Sequence, residues 1–229
     1  MAIDQWVRLP SAWIDEKGLT RLTWKQGGEG ADNVAALMAL IAVAHNADQE
    51  AGVAKLTYND ICGVTGLSRS KLANGLEILK KLQIVNQGPD DARSTYSLAS
   101  FGSGNHWAKL PAKSMYGAGR ITAFVDFQLR RPAELDALKL FLLFCARRDR
   151  NTNVANIGYT KIEAYTDIKR VKLKAALSLL SSIPLVYVEQ VPSEMNQNAI
   201  ANAYRIVGID SYNHRGTRGR GMTDMEATA

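Results

Sequence analysis

Histidine, cysteine and long apolar runs are all scarce in this chain of 229 residues, and each scarcity removes a class of function. The three histidines, His45, His106 and His214, are scattered, and no paired His or Cys spacing offers a metal site. The two cysteines, Cys62 and Cys145, both fall in helical apolar patterns, which predicts buried free thiols in a reducing compartment, not a disulfide. The longest apolar stretch, Val34 to Ala44, has 11 residues, whereas a membrane span needs about 20, so no membrane partner is expected. The start, Met1-Ala2-Ile3-Asp4, lacks the basic residues and apolar run of a secretory signal, and a cytoplasmic protein is expected. No Gly-rich loop ends in Lys-Ser or Lys-Thr, so no nucleoside triphosphate site is expected. Gly27-Gly28-Glu29-Gly30 precedes a helix but lacks the lysine, and reads as a flexible linker. These absences together predict no enzyme and no cofactor.

What is present is a globular composition, 46% hydrophobic and 22% charged, with a net charge of +6. The charge is uneven. Residues 1–101 carry 10 Lys and Arg against 11 Asp and Glu, while residues 102–229 carry 18 against 11. An excess of +7 on one half points to an anionic partner held mainly there, and nucleic acid is the usual one.

The chain is also written twice. Shifted by 101 positions, Trp6 to Val85 aligns without a gap on Trp107 to Val186 with 18 identities in 80 positions. Unrelated segments of ordinary composition would share roughly 5. Trp6, Leu9, Pro10 and Gly18 return as Trp107, Leu110, Pro111 and Gly119, and Tyr58, Ile61 and Thr65 return as Tyr159, Ile162 and Thr166. Arg69, Lys71 and Leu72 return as Arg170, Lys172 and Leu173. A period this long means two copies of a whole domain, 1–101 and 102–210, followed by a flexible basic tail, 211–229.

Each copy opens with an extended, Pro-stopped segment, and a short strand-like run follows at Leu19 to Trp24 or Ile121 to Phe127. A long helix comes next, about Asp32 to Asn46 in copy one and Ala133 to Arg148, with Pro132 at its entrance, in copy two. Thr57 to Val64 then reads as a capped two-turn helix, Thr65-Gly66-Leu67 as a turn, and Ser68 as the cap of a helix to about Leu82. Leu67 and Leu72 are spaced as a hydrophobic staple. Gln83 to Gln87, a turn at Gly88 to Asp91, and Ser94 to Leu98 make a hairpin. Copy two repeats the order, with Thr166 to Ile168 as the turn, Lys169 to Ser181 as the second helix, and strands Leu185 to Gln190 and Ala203 to Ile209. Its polar connection, Val191 to Asn202, predicts a larger wing.

Helix, helix-turn-helix and hairpin in this order resemble the winged helix-turn-helix family, over about residues 6 to 210. The resemblance implies an α+β fold of two such domains in tandem, each placing its second helix in a DNA major groove. It implies contacts from Ser68, Arg69, Ser70, Lys71 and Asn74 in copy one and from Lys169, Arg170, Lys172 and Lys174 in copy two. Arginine can fork onto guanine and asparagine onto adenine, while lysines and hydroxyls mostly serve phosphates. Copy one departs from the pattern, because Asp90 and Asp91 sit at its wing tip and leave Arg93 to serve phosphate there. In copy two Lys169 replaces the capping Ser68, at a cost of about 1 kcal/mol, as if the cation had a phosphate to meet. The tail's Arg215, Arg218 and Arg220 faintly resemble minor-groove arms, but Gly221 stands where those arms carry proline, and a solvated terminus is favoured. The expected partner is double-stranded DNA, and no small-molecule ligand is expected, since both domains are spent on winged helices. A transcriptional regulator would read an inverted repeat as a homodimer, while a plasmid or phage replication initiator would grip repeated origin sites. A partner-binding module of a segregation or assembly complex is the alternative outside DNA recognition.

Overall fold

The computed structural model describes residues 3–25, 27–88, 94–102, 104, 106–192 and 200–209. It is an α+β fold with small antiparallel sheets. Copy one runs β1 (Trp6–Pro10), α1 (Ala12–Asp15), a 3-10 turn (Gly18–Arg21), α2 (Glu29–Asn46), β2 (Val53–Leu56), α3 (Tyr58–Thr65), α4 (Arg69–Lys81), β3 (Val85–Gln87) and β4 (Ser94–Leu98). Copy two runs β5 (Trp107–Pro111), a 3-10 turn (Lys113–Met115), β6 (Tyr116–Gly117), β7 (Arg120–Ile121) and a 3-10 turn (Thr122–Phe124). It continues with α5 (Pro132–Arg147), β8 (Val154–Ala155), α6 (Tyr159–Thr166), α7 (Arg170–Ser182), β9 (Val186–Pro192) and β10 (Ile200–Ile206).

The apolar helices α2 and α5 are the centre of the molecule, with every residue from Val34 to Ala44 and from Ala137 to Cys145 buried. Against them lie the shorter helix pairs, α3 with α4 and α6 with α7. Thr57 and Asp60 form a reciprocal capping box that starts α3, Gly66 ends it at φ +76°, and Ser68 caps α4. In copy two Asp167 takes the same left-handed place at φ 55°. The repeated threonine has a structural task in both turns. Thr65 Oγ1 donates to Ile61 O at 2.6 Å and accepts from Leu67 N, and Thr166 Oγ1 does the same with Ile162 and Ile168. The hairpins match as well, in strand orders β2-β4-β3 and β8-β10-β9, with Ala54 opposite Tyr96 and Ala155 opposite Tyr204.

Some elements differ from the sequence reading. The runs at Leu19 and Ile121 are largely 3-10 turns; each is too short for apolar content alone to separate a turn from a strand. Gly27 to Gly30 is no linker, because α2 begins at Glu29, Gly28 takes φ +97° at its N-cap, and Gly30 is pressed on Trp24. A Cβ on Gly30 would lie 2.5 Å from that indole. The second wing is longer than read, its paired strands reaching Pro192 and starting again at Ile200.

The two copies share one apolar core. Their opening strands, β1 and β5, pair with each other, antiparallel, with Arg8 opposite Lys109. Lys109 is the position equivalent to Arg8, so the ribbon is symmetric about that pair. Trp6 and Trp107 stack across it at 5.9 Å, Lys109 Nζ lies 4.4 Å over the Trp6 ring, and Arg8 lies 5.4 Å over Trp107. Other contacts are reciprocal too. Asp15 bonds Arg147, and the equivalent residues Tyr116 and Asn46 bond each other. Helix α3 packs on β7, and α6 packs on the equivalent 3-10 turn at Gly18–Arg21. A pseudo-two-fold axis therefore passes between Arg8 and Lys109, and the junction is isologous, as between subunits of a symmetric dimer.

Candidate nucleic-acid interface

The first two turns of α4 and α7 carry the residues expected from the sequence to contact nucleic acid, and the two faces differ in what surrounds them. On α4, Ser68, Arg69, Ser70 and Asn74 are exposed and Lys71 is half-buried. Lys71 Nζ makes an ion pair with Asp32 at 2.8 Å, and Asn74 Nδ2 donates to the other oxygen of that carboxylate at 3.2 Å. Arg69 donates to Asn59 Oδ1 at 2.8 Å. One carboxylate from the first turn of α2 thus holds both the Lys71 cation and the Asn74 amide.

Copy two lacks these anchors. Ala133 stands at the position of Asp32, Thr160 at that of Asn59 and Ala175 at that of Asn74. Lys172 and Lys174 are exposed, and among the described residues neither ammonium has a carboxylate within ion-pair distance; Lys172 feels Asp136 only at longer range. Arg170 lies over the Tyr159 ring at 5.3 Å, a cation-π contact that leaves its charge unneutralised. Lys161, exposed on α6, adds a cation that the sequence reading passed over.

Two more residues escaped that reading. Val171 is 87% exposed, between Arg170 and Lys172, where copy one has Ser70. A solvated valine on a basic helix face suits an apolar contact such as a thymine methyl. Asp32 escaped because its role depends on a contact 39 residues away along the chain.

Lys169 needs no phosphate to explain it. Its ammonium bonds Glu163 Oε1 at 3.0 Å and Asp167 Oδ1 at 3.1 Å, and these carboxylates raise its pKa. The absent side-chain cap is offset by a backbone bond from Lys172 N to Lys169 O at 2.8 Å. Lys169 is thus held by two carboxylates at contact distance, unlike Lys172 and Lys174.

Beneath the face lies a second, buried lysine. Lys139 on α5 crosses between the copies and donates to Leu22 O at 2.9 Å. Burial pushes its pKa down to about 8, against the pull of Asp136. Burial also raises the pKa of Asp136, whose carboxyl feels both Lys139 and Lys172. On the second wing Tyr187 and Val188 are exposed, and Arg205 pairs with Glu189 across the hairpin. Arg93, Asp90, Asp91, Arg215, Arg218 and Arg220 lie outside the described residues, as do the middle of the second wing connection and the tail from 210 onward. Among the described residues no three His, Cys, Asp or Glu side chains converge on a common point, and no helix is long and apolar enough to cross a membrane.

No protein-family model matches the chain, and a search of curated proteins finds no match.

Proposed function

We propose that the protein binds double-stranded DNA sequence-specifically through two winged helix-turn-helix units, with α4 and α7 as recognition helices, and acts as a transcriptional regulator. The single observation that carries this reading is the first two turns of α7. There Arg170, Val171, Lys172 and Lys174 are all exposed, Val171 and Lys174 toward the middle of the solvent side with Arg170 and Lys172 on its two flanks, and the carboxylate that ion-pairs the matching lysine in copy one is replaced by Ala133. Such a face offers phosphate contacts from the lysines, a fork for guanine from Arg170 and an apolar patch from Val171. The α4 face is the weaker grip, since its cation and amide must first leave Asp32. Control of such a regulator falls to dosage, self-association or a protein partner, because both halves of the chain are spent on the same kind of unit.

The test is fluorescence anisotropy on a selected duplex across a salt series. Lys172→Ala with Lys174→Ala should weaken binding by roughly tenfold or more and lower the salt slope by about 2. Arg69→Ala with Lys71→Ala should cost far less. Unchanged affinity in the Lys172/Lys174 variant would sink the proposal.

A further inference from the structure

We infer that one chain reads an inverted repeat by itself, with its internal pseudo-two-fold axis laid over the dyad of the DNA. This rests on the DNA-binding reading above and adds the symmetry of the site and the number of chains on it.

The operator that carries copy one onto copy two is fixed by the junction. In the β1–β5 ribbon each residue pairs so that Arg8 meets its own equivalent, Lys109, and Trp6 and Trp107 exchange roles about it. A translation or an open screw would give head-to-tail contacts, in which a residue of copy one meets a different surface of copy two. The contacts here are instead mutual. Asp15 with Arg147 mirrors Tyr116 with Asn46, and α3 on β7 mirrors α6 on the turn at Gly18–Arg21. Within each copy the second helix sits alike, α4 against α2 and α7 against α5. The same two-fold therefore relates α4 to α7.

Two helices related by a two-fold meet one duplex in opposite senses along its axis, so their half-sites must be inverted. A direct repeat would need the helices to be related by a translation along the DNA. The interface that a dimeric regulator makes between chains is made here within one, and a single chain suffices for both half-sites. The symmetry of the scaffold is not shared by the reading face. Val171 replaces Ser70, Ala175 replaces Asn74, and Ala133 replaces Asp32. The repeat is accordingly imperfect, and the half-site under α7 carries more of the affinity.

The experiment is selection of random duplexes on the full-length protein, followed by mass photometry of the complex and anisotropy on duplexes in which one half-site is flipped in place. The expected result is an imperfect inverted repeat holding one chain, with at least a tenfold loss when either half is flipped to make a direct repeat. A selected direct repeat, a lone half-site bound as tightly as the pair, or two chains on each inverted repeat would overturn the inference and leave DNA binding standing. Failure to enrich any sequence would overturn both.

Discussion

At the scale of single residues, Asp32 sets the difference between the two faces. Its carboxylate engages both Lys71 and Asn74, which under the proposed DNA binding would otherwise meet phosphate, so Asp32→Ala should free both. The expected outcome is tighter duplex binding, by a few-fold, with a salt slope steeper by about 1. Weaker or unchanged binding would show that the ion pair does not compete with DNA. His45 governs a different property. Its Nε2–H donates to Pro111 O at 2.8 Å and its Nδ1 faces the Tyr116 hydroxyl at 3.3 Å, a link between the copies whose burial disfavours a charged ring. Burial lowers its pKa from 6.5 to about 4. Between those values the unfolded chain holds a proton that the folded chain refuses, so the contribution of His45 to stability falls as pH drops through this window and is steady above it. The loss by pH 4 is on the order of 3 kcal/mol. Urea melts at pH 7.5 and 5 would register it, and His45→Gln should flatten the difference. The lowered Asp48 and Asp149 act only below this window.

At the scale of elements, the packing of α4 on α2 turns on Gly75. A Cβ there would stand 2.8 Å from Ala36 N and 2.9 Å from Ala35 C, backbone atoms with little room to move. Gly75→Ala should cost about 1–3 kcal/mol by overpacking, despite alanine's better helix propensity. A gain in the urea midpoint would show that the helices separate freely. Helices, caps and turns of this kind were legible in the sequence because their causes are local. Thr57, Gly66 and Ser68 cap or end their helices where they were read, and the apolar spacing of Leu72, Leu76 and Leu79 marks the buried stripe of α4. The 3-10 turns and the α2 entrance were not legible, since two or three apolar residues carry no period and a Gly-rich stretch reads alike as a linker or a cap. The candidate face was half legible. Spacing places Arg170 and Lys174 side by side and marks Lys172 as solvent-exposed, but the partners of Lys71 and Lys169 come from contacts that no short pattern encodes.

At the scale of the whole molecule, the pairing of β1 with β5 makes each copy incomplete alone. Trp6 to Pro10 shows that a segment is extended, without showing what it pairs with; the offset of 101 residues reveals two copies without revealing how they meet. Residues 1–101 expressed alone would bare one face of α2 and the unpaired edge of β1. Since that edge is paired in the full chain by its own near-copy, the fragment should form a homodimer or aggregate, and sedimentation should find no folded monomer. A stable monomeric fragment would show the copies to be independent. Joining the copies through residues 99–106 has one more consequence, for dose. Subunits that must meet in solution assemble with the square of their concentration, and at low abundance most stay apart. Here the meeting is within the chain, at an effective concentration that dilution does not change. Occupancy of a target would then rise in proportion to the number of chains from the first few molecules onward, with no threshold to cross.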